Sequence, residues 1–373
     1  MIKGTITVRP QAFASAVKWA AKFIATKPSV PIQGGLALDA GTDGLTVTAY
    51  SEHITARAYV PFEGTGEGRV IVSGRLLAEL AGTFPDKPVV ITGEDSGDLV
   101  TITVGRWRGT LPAMDETEWP PLAEPPAAIG TVGGDAFAAM IADVNVATKK
   151  DGKAPLWLAC MHLAFGAGKA EAMATDSRRA ARSSVPFSGT DTPLSAVVLG
   201  ATMGEVAAAF AGPDDITVGL DQGSIALTSQ TRSVVLRQMA QPFDAASVGG
   251  FFAKAAEFPE RVSVKREDLL QPMKRAALIR EKDGPIKVSF SIGLIILHAA
   301  AGDIKRDSDE EIEADYSGPE HALSFNPQYF AEAVGSAPGE TVDITMTTEN
   351  VAGVLMRVDG TAWEHIVMPT KSR

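Results

Sequence analysis

Apolar residues in this chain recur with two periods, and the switch between them repeats three times. Segments 8–24 (VRPQAFASAVKWAAKFI), 132–148 (VGGDAFAAMIADVNVAT) and 264–280 (VKREDLLQPMKRAALIR) each open on a valine. Phe13, Phe137 or Leu269 follows at the same offset, and then come apolar residues at helical spacing. The starts, Val8, Val132 and Val264, lie a whole small domain apart, too far for a solenoid or propeller repeat. A second helix is expected in each third, at 73–81, 200–211 and 326–335, with Ser73 and Asn326 as candidate N-caps. Strands of period two follow at 89–92 and 99–104, at 216–220, 225–227 and 234–236, and at 342–346 and 354–358. Further alternating segments, such as 36–38 and 45–48, fall between the two helices. The expected fold class is α+β, with three tandem domains, each of two helices packed on antiparallel sheets. Proline clusters at 119–126 and across 241–259 read as linkers and set boundaries at 1–124, 129–248 and 258–373.

Composition adds limits. The chain has 373 residues, 45% of them apolar, enough for a core in each third. The start shows no basic, apolar, small-residue progression, so no leader is read. The longest apolar run, 288–301, contains Ser289, Ser291 and His298 and is shorter than the ~20 residues of a membrane span, so a buried strand is expected. Cys160 is the only cysteine, which points to a reducing, cytoplasmic setting. The net charge of −11 argues at first against nucleic acid. The positive charges are nevertheless arranged. Lys18 and Lys22 fall opposite the stripe of Phe13, Val17, Ala20 and Ile24, and Lys274 and Arg275 flank the equivalent face of the third repeat. In the middle repeat Asp143 is expected outward, with Lys149, Lys150 and Lys153 following.

Five short motifs occur in order along the chain: TKPSVPIQGGL (26–36), TLPA (110–113), TDSRRAA (175–181), EEIEADYSGPEHALSFNPQYF (310–330) and HIVMP (365–369). Together with the threefold repeat they resemble the bacterial DNA polymerase III β subunit family, the sliding clamps. The resemblance implies DNA-clamp domains forming a head-to-tail homodimeric ring, with helices around a central hole and sheets outside. Lysines on inward helices would then hold duplex DNA weakly and without sequence preference, and topology would replace affinity.

The resemblance further implies site residues. Lys18, Lys22, Lys27, Lys149, Lys150, Lys153, Trp157 and Lys274 would face DNA. Trp157 either stacks on an exposed base or packs on its own sheet. Short linear motifs of the polymerase III α subunit, the clamp loader, other polymerases and repair proteins would dock in a hydrophobic pocket. Leu158, Thr175, Ser177, Arg178, Arg179, Ala180 and Pro242 would form one side of it, and Asn326, Tyr329, Val351, Gly353, Ile366, Val367, Met368 and Pro369 the other. Ser177, Arg178, Ala180 and the terminal Thr370-Lys371-Ser372-Arg373 depart from the family pattern. Between copies, Leu278 and Ile279 match apolar interface positions, whereas Arg106-Trp107-Arg108 stands where an apolar pair is expected. Arg106 and Arg108 are expected to pair across that interface with the acidic run containing Asp307, Asp309, Glu310, Glu311 and Glu313.

No cofactor or catalytic group is implied. His53, His162, His298, His321 and His365 are scattered, and Cys160-x-His162 lacks the further ligands of a zinc site. There is no Gly-rich loop before a Lys-Ser or Lys-Thr pair. Asp176 beside Arg178 and Arg179 imitates a catalytic acid, so a hydrolase is the remote alternative, against a turn aspartate that satisfies backbone N–H groups. A specialised or phage-type clamp paralogue with altered partner or inhibitor preference is the nearer alternative.

Overall fold

The structure, a computed structural model, describes residues 2–25, 27–93, 97–150, 154–280, 284–301, 306–347 and 353–370. The first third runs β1 (Thr5–Val8), α1 (Pro10–Ala20), β2 (Gly35–Gly41), β3 (Gly44–Ser51), β4 (Ile54–Val60), β5 (Phe62–Gly64), β6 (Gly68–Ser73), α2 (Gly74–Ala81), β7 (Val89–Gly93), β8 (Leu99–Val104) and β9 (Trp107–Pro112). The middle third repeats that order as β10 (Ala128–Gly133), α3 (Gly134–Asn145), β11 (Cys160–Gly166), β12 (Lys169–Thr175), β13 (Arg179–Pro186), β14 (Ser188–Gly189), β15 (Leu194–Leu199), α4 (Gly200–Ala209), β16 (Asp215–Leu220), β17 (Ser224–Thr228) and β18 (Arg232–Arg237). An additional helix, α5 (Ala245–Ala255), precedes the last third. That third has β19 (Glu260–Lys265), α6 (Arg266–Ile279), β20 (Ile286–Ser291), β21 (Leu294–Ala301), β22 (Arg306–Glu313), β23 (His321–Phe325), α7 (Pro327–Gly335), β24 (Thr341–Met346), β25 (Val354–Arg357) and β26 (Glu364–Val367).

The first helix of each third buries the same stripe. Phe13, Ala16, Val17 and Ala20 are buried on α1, Phe137, Met140, Ile141 and Val144 on α3, and Leu269, Leu270, Met273 and Ala276 on α6. That spacing makes one apolar face, and its burial against a sheet is what holds such short helices. Contacts divide the chain into two compact units, residues 1–131 with 215–238 and residues 132–214 with 239–373. In the first unit one sheet has the order β5-β1-β7-β8-β9, and a second runs β10-β16-β17-β18-β4-β3-β2-β6. In the second unit the sheets are β15-β11-β12-β13-β26-β25-β24-β19 and β22-β21-β20-β23. Among the described residues the strand ladders are antiparallel.

Several expectations change. Asn326 caps α7 by accepting from the Gln328 N–H at 2.9 Å, but Ser73, at the corresponding place before α2, makes no side-chain cap bond. Residues 241–259 are not a bare linker, because α5 lies there. Asp244 caps it through the Ser247 N–H at 2.9 Å, and Val248, Phe252 and Ala255 point into a cluster with Met173, Ala180, Leu355 and Ile366. The linker 119–126 begins packed, with Trp119 buried against Ile32, Ala37 and Ile71. The run 288–301 is a hairpin rather than one strand, turning at Gly293 with φ 77°. Lys22 lies in the 3-10 turn Ala21–Phe23 that follows α1, and stays exposed. Asp143 is half-buried rather than outward, and burial pushes its carboxyl up to about 7.

Candidate functional site

The turn between β12 and β13 is built by its own side chains. Asp176 Oδ1 accepts from the N–H groups of Arg178 (2.9 Å) and Arg179 (3.1 Å). Thr175 Oγ1 donates to the Arg179 carbonyl at 2.8 Å and accepts from the Ser177 N–H at 3.1 Å. These bonds hold Ser177 at φ 70°, a conformation that costs a residue with a Cβ. The two N–H bonds accepted by Asp176 are those of a turn-forming aspartate.

Arg179 turns inward, and its side chain is only 4% exposed. Its Nε reaches Asp176 Oδ2 at 3.2 Å and its Nη1 reaches Glu332 Oε2 at 2.6 Å, with the guanidinium 4.5 Å from the Tyr329 ring centre. Burial would raise the Glu332 carboxyl, but hydrogen bonds from Gln328 and Arg179 and the charges of Arg179 and Lys150 hold it below its usual range. Tyr329 stands one turn after the capping Asn326. A buried charge needs such pairing.

Pairing of β13 with β26 sets Arg179 opposite Val367 and Ala180 opposite Ile366. The ladder extends beyond the strands, since the Met368 N–H donates to the Arg178 carbonyl at 2.9 Å. Gly353 has φ 95°, and a Cβ there would lie 3.0 Å from Met368 Sδ and 3.1 Å from Ile366 Cγ2. Thr175, Ser177, Arg178, Arg179, Ala180, Tyr329, Gly353, Ile366, Val367 and Met368 are therefore brought together. Ala180 and Ile366 are nearly closed over by α5, which leaves exposed Ser177, Arg178 and Pro242 and half-buried Met368 and Pro369 as the accessible surface. Leu158 is buried, and its carbonyl accepts from the Lys149 N–H at 2.7 Å. Val351 lies outside the described residues. Sequence reasoning missed Val248, Phe252 and Glu332. The spacing of Val248, Phe252 and Ala255 after Asp244 was the available signal for the helix.

Opposite Ala181 on the same β13–β26 ladder lies His365, 0% exposed, with neither ring nitrogen hydrogen-bonded. Burial, then the Arg179 charge, pushes it down to about 3. Cys160 and His162 share a face of β11, but the thiol is fully buried and the imidazole stacks on Phe243 at 5.5 Å. Among the described residues no cluster of three or more His, Cys, Asp or Glu could hold a metal.

The basic positions form separate groups. In the first unit Lys18, Lys22 and Lys27 are exposed. In the second, Lys150 and Lys274 are exposed, Lys149 is half-buried, and Trp157 is half-buried in the 3-10 turn Leu156–Ala159. Lys153 lies outside the described residues.

Of the expected interface residues, Trp107 is 37% exposed and lies 5.4 Å from the Phe84 ring, while Arg106 belongs to the turn before β9 and Arg108 is exposed on it. Leu278 is 78% exposed, and Ile279 packs on the core. Within the chain Glu310 accepts from Arg275, Asp309 meets His298 at 2.8 Å, and Glu311 is exposed.

Comparison with known proteins matches residues 5–123 to the DNA polymerase III beta subunit N-terminal domain and residues 256–371 to its C-terminal domain. The beta sliding clamp of Streptomyces coelicolor is 27% identical over 379 residues, covering 98% of this chain and 99% of that protein. The beta sliding clamp homolog GriR of Streptomyces muensis is 26% identical, covering 98% of each. The solved DNA polymerase sliding clamp of Bacillus subtilis has a TM-score of 0.90 at 18% identity, covering 100% of both chains. That of Pseudomonas aeruginosa has 0.89 at 20%, covering 99% of this chain and 100% of that one. The two matched domains, the near-complete relatives and the shared fold agree with the threefold order of elements: this chain belongs to the DNA polymerase III beta subunit family, the non-catalytic beta sliding clamps.

Proposed function

We propose that two copies of this chain close head to tail into a ring around duplex DNA and tether a DNA polymerase through a short peptide bound at the β13–β26 joint. The observation that carries the tethering is the Met368 N–H bond to the Arg178 carbonyl. It fixes a flexible thioether beside the exposed Ser177 and Arg178, with Pro242 and Pro369 on the same accessible surface. Such a surface suits an apolar peptide side chain, and the turn's polar groups orient its backbone. Clamp-loader and repair-protein motifs of the same chemistry would compete for it.

Lys18, Lys22, Lys27, Lys149, Lys150 and Lys274 supply scattered phosphate contacts, few enough that the ring can slide. An acidic body with a basic lining repels DNA everywhere except where the ring holds it. The test is retention. Protein placed on nicked circular DNA by a compatible loader with ATP should stay bound through gel filtration in moderate salt and leave when the circle is cut. Equal loss from circle and linear DNA would overturn the ring reading.

A further inference from the structure

The apolar floor of the β13–β26 joint is already occupied, by a helix of the chain itself. Ala180 of β13 lies opposite Ile366 of β26, Ile366 opposite Leu355 of β25, and Leu355 opposite Thr345 of β24. Over this row α5 lays Val248, Phe252 and Ala255, with Met173 in the same cluster. Two residues beyond Ile366, and so on the same face of the sheet, Met368 packs on that cluster while staying half-buried. The surface left open around Met368 and the floor under α5 are therefore two halves of one apolar trough.

Nothing in the threefold plan requires α5. The connection between the first two thirds holds, among the described residues, only the 3-10 turn Glu116–Glu118. The sequence of α5 also works against the helix. Gly249 and Gly250 stand inside it, and a Cβ added at either would meet nothing within 4 Å, so packing does not demand glycine there. Their effect is to weaken the helix. Phe251 is 55% exposed beside the fully buried Phe252. Aromatic side chains hold both flanks. Phe243 stacks on His162 before the helix, and Phe258 packs on the cluster after it. Between these anchors the helix is kept down by its three buried side chains and by the Arg182 guanidinium, 4.6 Å from the Phe252 ring centre.

Resting on the reading of this joint as a peptide-docking site, we propose that α5 is an autoinhibitory lid. It covers Ala180, Leu355 and Ile366 in the free protein and lifts from them when a partner peptide lays its own apolar side chains there. Phe243 and Phe258 stay in place, so the segment between them unwinds without leaving the molecule. The lid also shows what can replace it. Its two large buried groups, aliphatic Val248 and aromatic Phe252, lie one helical turn apart. The peptide that displaces it offers an aliphatic and an aromatic side chain close together, whereas a peptide with one apolar residue uses the Met368 half and leaves α5 in place. Apparent affinity then scales with the fraction of molecules whose lid is open. Strengthening the helix weakens docking and loosening it strengthens docking, with no change to Met368, Ser177 or Arg178.

The test uses the full chain and a fluorescein-labelled octapeptide carrying one leucine and one phenylalanine, read by fluorescence anisotropy, with a copy in which both are serine as the blank. Gly249→Ala combined with Gly250→Ala should raise the dissociation constant about tenfold, because each alanine favours the helix and fills open space. Phe252→Ala, which empties the floor, should lower it about tenfold or more. The glycine pair tests the lid even where Phe252→Ala is too unstable to measure. Amide exchange across 245–255 of the wild type should also speed up when the peptide is added. Variants that bind as wild type does, or exchange that slows on addition, would overturn the lid while leaving the docking site in place. A peptide that binds neither wild type nor folded Phe252→Ala better than the serine blank would overturn the docking reading itself.

Discussion

The guanidinium of Arg179 lies 4.5 Å above the ring of Tyr329, so the turn after β12 is pinned to the first turns of α7 by a cation on an aromatic face as well as by the bond to Glu332. Truncating one member of a buried pair leaves the others uncompensated. Arg179→Met should therefore cost about 3 kcal/mol in denaturant unfolding. Arg179→Lys should recover little of it, because an ammonium cannot span two carboxylates and stack at once. A loss below about 0.5 kcal/mol, the size of a surface change, would mean the network carries no stability.

His365 makes the fold acid-sensitive. Its folded value of about 3 lies below the ordinary 6.5, so the stability it permits is complete above pH 6.5 and drains away as pH falls toward 3. The full loss is on the order of 5 kcal/mol. His365→Leu should flatten the stability profile in that window relative to wild type. Parallel profiles for the two proteins between pH 6.5 and 4 would rule the imidazole out as the cause.

Asp143 acts in the opposite direction. With its carboxyl raised from 3.8 to about 7, the folded state is favoured while the group is protonated, and that advantage is lost as pH rises through 7. Asp143→Asn should melt about 2 °C or more above wild type at pH 8, with the gap closing by pH 4. A constant gap at both pH values would point to packing instead of charge.

Phe252 tests whether α5 is structural. It is 0% exposed, and replacing a fully buried phenylalanine by alanine costs about 3–5 kcal/mol. Phe252→Ala should show a cost of that size and should open 245–255 to limited proteolysis. A variant as stable and as resistant as wild type would return the segment to the status of a linker.

Much of the fold was legible because each first helix repeats one stripe of apolar residues and strands such as β19 and β20 alternate buried with more exposed positions. The misses have local causes. The run 288–301 reads as one strand because Ile292, though apolar, is 76% exposed at a turn that only Gly293 marks. The helix α5 was hidden by Pro242 and Pro259 at its flanks and by Gly249 and Gly250 within it, which locally disfavour a helix that tertiary burial of Phe252 sustains. At the site, the turn Thr175–Ala180 and the strand end at Met368 could be placed from short motifs. Glu332 could not, because its link to Arg179 spans 153 positions and no spacing rule reaches across them.

The repeated segment and the segment that packs are out of step. The middle third gives β16–β18 to a sheet with β2–β4 and β6, and β11–β13 to a sheet with β24–β26. What was copied in the sequence is therefore not what buries a core by itself. Each third brings one strand that seeks a neighbour and one that receives it. A lone third would satisfy both only in a closed circle of its own kind. The threefold chain makes two of those meetings within one molecule, β18 with β4 and β26 with β13, and leaves β9 and β22 among its sheet edges.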